Sequence, residues 1–240
     1  MGDFIRAFQL RQQPLGSSPN WVMKVPAVQA LTNVGTLSLT NSVTVLTGNN
    51  GVGKSTLLKS LARSYGFALH GGPFGYGPPG PQGDLHNCTR VQLGSRSKEG
   101  YFLRAETHFS QANSFRDSAP GVTNLHHMSH GESVMQVVES FHKDGLYILD
   151  EPESGLSAIR QMALLATLHR LSTTGSQIIL ATHSPILLAI PSANLVEIHE
   201  DGTWSEHTEL QDTVAFRALD EFFADPAGIS QFMIEVTKDQ

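Results

Sequence analysis

The stretch Gly48-Asn49-Asn50-Gly51-Val52-Gly53-Lys54-Ser55-Thr56 follows the pattern G-x-x-x-x-G-K-[ST]. Its glycines let the backbone turn tightly, so consecutive N–H groups can converge on an anion. A helix beginning near Lys54 would add the positive end of its dipole. Asn49, Asn50, Gly51, Val52, Gly53, Lys54, Ser55 and Thr56 are therefore expected to hold the phosphates of a nucleotide. Lys54 should reach the β- and γ-phosphates, and the Ser55 hydroxyl should ligate Mg²⁺.

A second chemical signal is Leu146-Tyr147-Ile148-Leu149-Asp150-Glu151-Pro152, an apolar run ending in two carboxylates. Ligands of parallel sheets gather at the carboxyl ends of strands. Asp150 should thus face the phosphate loop and hold Mg²⁺, directly or through water. Glu151, one residue on, points elsewhere and suits a general base for water attacking the γ-phosphate. His183 ends another apolar run, in Ala181-Thr182-His183-Ser184-Pro185, and is a second candidate contact for the γ-phosphate. Ser129-His130-Gly131-Glu132-Ser133 precedes a helical pattern, and a small Gly-containing turn at a helix start also suits an anion.

These residues need elements to position them. Ser42–Thr47 reads as a buried strand entering the phosphate loop, and Lys54–Tyr65 as the helix leaving it, with Leu57, Leu58, Leu61, Ala62 and Tyr65 on one face. Gly71–Gly83 is rich in Gly and Pro and reads as a loop. Tyr101–Ala105 reads as a strand, Gly131–Lys143 as a helix, and Leu146–Leu149 as a strand. Leu156–Leu171 reads as a helix and Gln177–Ala181 as a strand. Asp201-Gly202 signals a hairpin between Leu195–His199 and Thr203–His207, and Asp212–Phe223 reads as a closing helix. Strands alternating with helices predict an α/β fold around a largely parallel sheet.

Composition agrees with a globular protein. Of the 240 residues, 40% are hydrophobic and 16% charged, which excludes a rod or a disordered chain. The net charge of −6 argues against a strongly basic nucleic-acid binder. One cysteine, Cys88, cannot form an intrachain disulfide and reads as a buried or incidental thiol. No apolar run is long enough to span a membrane, and the opening residues lack a secretory or myristoylation pattern. The expectation is a soluble, cytoplasmic protein. His126, His127 and His130 lack an acidic or cysteine partner nearby in sequence, so they read as ordinary histidines rather than a metal site. Trp21 is a candidate to stack on a nucleotide base.

Taken in order, GNNGVGKST, SHGES, YILDEPESGLS and LATHSP resemble an ATP-binding cassette (ABC-type) ATPase head. Most of the chain also resembles the small, stand-alone bacterial ATPase branch related to SMC- and RecF-like heads, with RAET ahead of a mid-chain loop. The resemblance implies a P-loop NTPase of the AAA/ABC kind: a single domain over 1–240, with a core of about 1–66 and 144–240 and a small inserted lobe over about 67–143. It implies ATP as substrate, Mg²⁺ as cofactor, and catalytic roles for Glu151, His183 and Lys54. It also implies an ATP-dependent homodimer in which Ser129, Gly131 and Glu132 form the signature turn offered to the partner, with Ser154–Ser157 along the same seam. Two features depart from the transporter pattern. Gly131 is followed by Glu132, as in SMC- and RecF-like heads. Glu106, with Gln111 as second candidate, stands where a glutamine loop is expected. Both favour a soluble, non-transport ATPase, in DNA maintenance or defence, over the ATP-binding subunit of a transporter with a separate permease. Glu151 argues against a third reading, a nucleotide-dependent switch without turnover. Ser129 lies only 73 positions after Thr56, too short a span for a coiled-coil rod.

Overall fold

The structure, a computed structural model, describes residues 3–12, 21–75, 85–97, 99–107 and 130–237. Along them run β1 (Ile5–Leu10), α1 (Pro26–Val34), β2 (Thr36–Ser38), β3 (Val43–Thr47), α2 (Lys54–Tyr65), β4 (Gly72–Pro73), β5 (Thr89–Leu93) and β6 (Glu99–Arg104). There follow α3 (His130–Glu139), β7 (Gly145–Asp150), α4 (Ala158–Thr173), β8 (Gln177–Ala181), the one-turn α5 (Pro185–Leu188), β9 (Asn194–Ile198), β10 (Trp204–Glu206), α6 (Val214–Ala224) and α7 (Pro226–Thr237).

The main sheet has the order β10-β9-β3-β8-β7-β6-β4. Its five central strands run parallel, and β10 and β4 are antiparallel edges. Strands β3, β7, β8 and β9 are buried along their whole length, as expected of a parallel sheet covered on both faces. Alternate residues serve opposite faces. Phe102, Ile148 and Ile179 pack with Leu57, Leu58 and Leu61 of α2 and with Phe8 of β1. Leu103, Leu149 and Leu180 pack with Val134 and Val138 of α3 and with Leu164 and Leu168 of α4.

A small antiparallel sheet, β2-β1-β5, lies on the α2 side. The fully buried Gln177 ties it to the main sheet. Its Oε1 accepts from the backbone N–H of Phe4 (3.1 Å) and Ile5 (2.8 Å), and its Nε2 donates to the carbonyls of Ile5 (2.8 Å) and Leu39 (2.6 Å). A buried amide survives in an apolar core because every polar atom is paired.

Several elements differ from the sequence reading. Residues 3–42 carry β1, α1 and β2, whose short or irregular patterns the sequence did not resolve. Strand β5 pairs with β1, and β6 pairs with β7. Their partners are distant in sequence, so only the folded chain reveals the pairing. Helix α3 stops at Glu139, four residues early. Phe141 leaves it to stack on Tyr147, centroids 4.1 Å apart, and the Tyr147 hydroxyl donates to the His142 carbonyl at 2.7 Å. Helix α4 starts at Ala158 because Ser157 caps it, accepting from the Arg160 N–H. The hairpin at Asp201-Gly202 is present, with Trp204 opposite Ile198.

Candidate functional site

The phosphate loop connects β3 to α2. Gly48 and Gly53 have φ of 129° and 100°, in the region that favours glycine. A side chain at Gly48 would strike the Ile198 carbonyl, and one at Gly53 would strike the Val25 side chain. The loop is thus wedged between β9 and the start of α1. Val52 is buried, and its carbonyl accepts from the Ala27 N–H at 2.8 Å. Asn50 and Gly51 are exposed, Thr56 is half-buried, and Asn49 turns outward to donate to Glu200 Oε1 at 2.9 Å.

Lys54 is buried inside the loop, where its Nζ donates to the carbonyls of Gly48 (2.9 Å) and Asn49 (3.0 Å). Burial lowers its pKa, and the carboxylates of Glu151, Glu153 and Asp150 pull it back up. One residue on, the Ser55 hydroxyl donates to Asp150 Oδ1 at 2.8 Å. Asp150 is itself buried at the end of β7. Burial raises its pKa, against the Ser55 hydrogen bond and the cations Lys59 and Arg104. A hydroxyl and a carboxylate meeting on a cavity wall form the hard-oxygen pair that suits Mg²⁺.

Glu151 has φ of 51°, uncommon for a residue with a side chain. Its N–H donates to the Ala181 carbonyl of β8 (2.9 Å), and its own carbonyl accepts from Ser154 (3.1 Å). This turn sends the carboxylate toward the end of β8, where Glu151 Oε1 lies 3.3 Å from His183 Nε2. A cavity of about 600 Å³ is lined by Ser55, Lys59, Ala105, Glu106, Asp150, Glu151 and Ser154. Lys54, Ser55, Asp150, Glu151 and His183 therefore come together at the carboxyl ends of the adjacent strands β3, β8 and β7.

Glu106 lies on the cavity rim, in a helical turn after β6. Its carboxylate is 2.7 Å from the Arg104 guanidinium and 3.8 Å from Lys59 Nζ. Gly131, in the first turn of α3, packs against the turn at Gly155 and Leu156; an added Cβ would lie 2.5 Å from the Gly155 carbonyl. Glu132 pairs with Arg160 of α4 at 3.3 Å. Trp21 is exposed, ahead of the Val25 that packs on Gly53. Cys88 is buried. Ser129, Gln111, His126 and His127 lie outside the described residues.

Arg104 had no role in the sequence reading beyond its place in RAET. It is buried opposite Asp150 in the β6–β7 register, with Nε 3.8 Å from Asp150 Oδ2. The signal was an arginine at the carboxyl end of a strand. Glu153 and Gln161 also went unread, because hydrogen bonds between turns leave no pattern in sequence.

Residues 121–189 match the family model described as "AAA domain, putative AbiEii toxin, Type IV TA system". No curated protein matches the chain. Among solved structures, it is similar to a chain assigned to a metal-chelate type ABC transporter in an inward-facing conformation. The identity is 16%, the coverage 91% of this chain and 89% of the other, and the TM-score 0.47. It is also similar to the SMC head domain from Thermotoga maritima, with 14% identity, coverage of 85% and 98%, and a TM-score of 0.44. With a phosphate loop after a central parallel strand, an Asp-Glu pair ending a second and a histidine following a third, the chain resembles an ABC-type P-loop ATPase head.

Proposed function

We propose that this chain binds MgATP at the phosphate loop and hydrolyses it. The observation that carries the reading is the meeting of Lys54, Ser55, Asp150, Glu151 and His183 at three adjacent strand ends. The loop N–H groups and Lys54 bind the triphosphate. Ser55 and Asp150 would hold Mg²⁺, which neutralises phosphate charge and orients the leaving group. Glu151 takes the proton of the attacking water, and His183 beside it contacts the γ-phosphate. Glu106, on the rim, serves as the glutamine-loop equivalent.

ATP closes two copies head to tail, with Ser129, Gly131 and Glu132 of each capping the nucleotide of the other. The output is a cytoplasmic, non-transport task in DNA maintenance or defence. Glu132 after the signature glycine supports this, and the family description, which speaks of a toxin–antitoxin system, is compatible with it.

Lys54→Ala should weaken nucleotide binding by removing a charge-assisted phosphate contact. Glu151→Gln should keep binding and lose most turnover, on the order of 10²-fold or more. Equilibrium binding and steady-state ATPase assays check both. Wild-type turnover in Glu151→Gln overturns the general-base role. Copurification from the native host tests the output; a membrane permease among the bound chains would replace this reading with the transporter one.

A further inference from the structure

Two side chains fasten the turn that carries Glu151 to the turn that carries His183, and the proposed mechanism uses neither. Glu153 is the first. Its Oε1 accepts from the Thr182 hydroxyl at 2.5 Å and from the His183 backbone N–H at 2.8 Å. The same Thr182 oxygen accepts from the Ser184 N–H at 3.0 Å, so one carboxylate oxygen orders three consecutive residues. Glu153 is also built into its own turn, where its carbonyl accepts from the Leu156 N–H at 2.9 Å.

Gln161, one turn into α4, is the second. Its Nε2 donates to the Leu156 carbonyl at 3.0 Å, and its Oε1 accepts from the Ser184 hydroxyl at 2.6 Å. That hydroxyl oxygen in turn accepts from the Leu187 N–H and caps α5. The two bridges share no atom, although both reach Ser184, one through its N–H and one through its hydroxyl. Glu153 joins residue 153 to residues 182 and 183, whereas Gln161 joins residue 156 to residue 184. Between them they span the Ser154–Leu156 turn and the start of α5.

Without these bridges, the links left among the described residues are the end of the β7–β8 ladder, the Glu151 N–H to the Ala181 carbonyl, and the Glu151–His183 contact itself. Side chains on two loosely joined turns cannot hold a fixed separation, and a displacement of about 1 Å can cost on the order of 10²-fold in rate.

We propose that Glu153 and Gln161 are positioning residues that set the Glu151–His183 pair for reaction. Glu153 acts through the His183 backbone, and Gln161 acts through Ser184 behind it. Glu153 is the stronger of the two because it touches His183 itself and a charged acceptor makes the stronger hydrogen bond. The role requires an acceptor at Glu153 Oε1 and not a negative charge. Its other oxygen, Oε2, is buried without a hydrogen-bond partner among the described residues. A glutamine can keep the acceptor with its amide oxygen at Oε1, and its nitrogen at Oε2 displaces no existing hydrogen bond.

This inference rests on the proposed ATPase activity, so its test has two readouts. In steady-state assays, Glu153→Ala should lower kcat roughly 10–100-fold and change KM for ATP less than about 3-fold. Glu153→Gln should recover most of the rate, and Gln161→Ala should lose less than Glu153→Ala. In nucleotide-free protein, the His183 ring signals, assigned with a His183→Gln variant, should shift in Glu153→Ala and stay near wild type in Glu153→Gln. Unchanged ring signals and unchanged kcat in Glu153→Ala would overturn the inference. So would parallel losses of kcat, ATP affinity and thermal stability that glutamine does not rescue. Ring signals that shift as expected in Glu153→Ala, together with a wild type that hydrolyses no ATP, would sink the proposed activity and leave the positioning intact.

Discussion

Asp150 bears two conflicting demands. As the proposed metal ligand it must be ionised, yet it sits buried, where burial raises its pKa despite Ser55, Lys59 and Arg104. A carboxyl whose folded pKa lies above its unfolded value favours folding while protonated. That contribution is present below the unfolded pKa, at about 4, and is lost as pH rises through the folded pKa. In the nucleotide-free protein, the thermal stability of wild type relative to Asp150→Asn should therefore decline as pH rises from about 4 to 7. Added MgATP should reverse the order at neutral pH by stabilising only the wild type strongly. Scanning calorimetry of both proteins across that range checks it. A difference that grows in favour of the nucleotide-free wild type as pH rises would show that the cationic neighbours outweigh burial.

At the scale of elements, the phosphate loop works because β9 and the start of α1 leave it no room to be anything else. Gly53 combines a left-handed φ with contact against Val25 and Ala27. Gly53→Ala should cost about 2 kcal/mol from backbone strain alone, roughly 4–8 °C in Tm. Adding Val25→Ala should recover only part of that loss, because it makes room for the methyl group but leaves φ unchanged. Thermal melts of the single and double variants separate the two causes. Full recovery would mean that crowding, and not backbone strain, is the cost. Glu151 shows the same economy in reverse. A left-handed glutamate is tolerated because its N–H and carbonyl are both held, and the strain aims a carboxylate at His183.

For the whole molecule, the phosphate loop would cover one side of the triphosphate in the proposed complex. A second copy would cover the other, placing the γ-phosphate between two helix N-termini. The turn at Gly155, packed on Gly131, lies beside that proposed seam. Two-fold symmetry then gives two nucleotides per pair. Glu151→Gln with MgATP should form a stable dimer, ADP should not support it, and adding Ser129→Arg should abolish it while leaving ATP binding by the single subunit intact. Light scattering of the two variants with and without ATP measures this; one mass in all four samples would rule out the nucleotide sandwich.

Sequence alone determined which residues stand at the strand ends as candidates for chemistry. The phosphate loop, Asp150, Glu151 and His183 could be read because each depends on local order: a glycine pattern, or a polar residue closing an apolar run. The parallel core was legible for the same reason, since strands buried on both faces are continuous apolar runs. Tertiary structure alone decided what joins these pieces. The β6–β7 pairing places Arg104 behind Asp150, Gln177 ties the two sheets, and Glu153 and Gln161 link the turn after Glu151 to the turn at His183 and Ser184. Each is a polar contact between segments far apart in the chain or on separate turns. A sequence pattern reports periodicity within one segment, whereas such a contact is satisfied only once the fold has brought its two ends together.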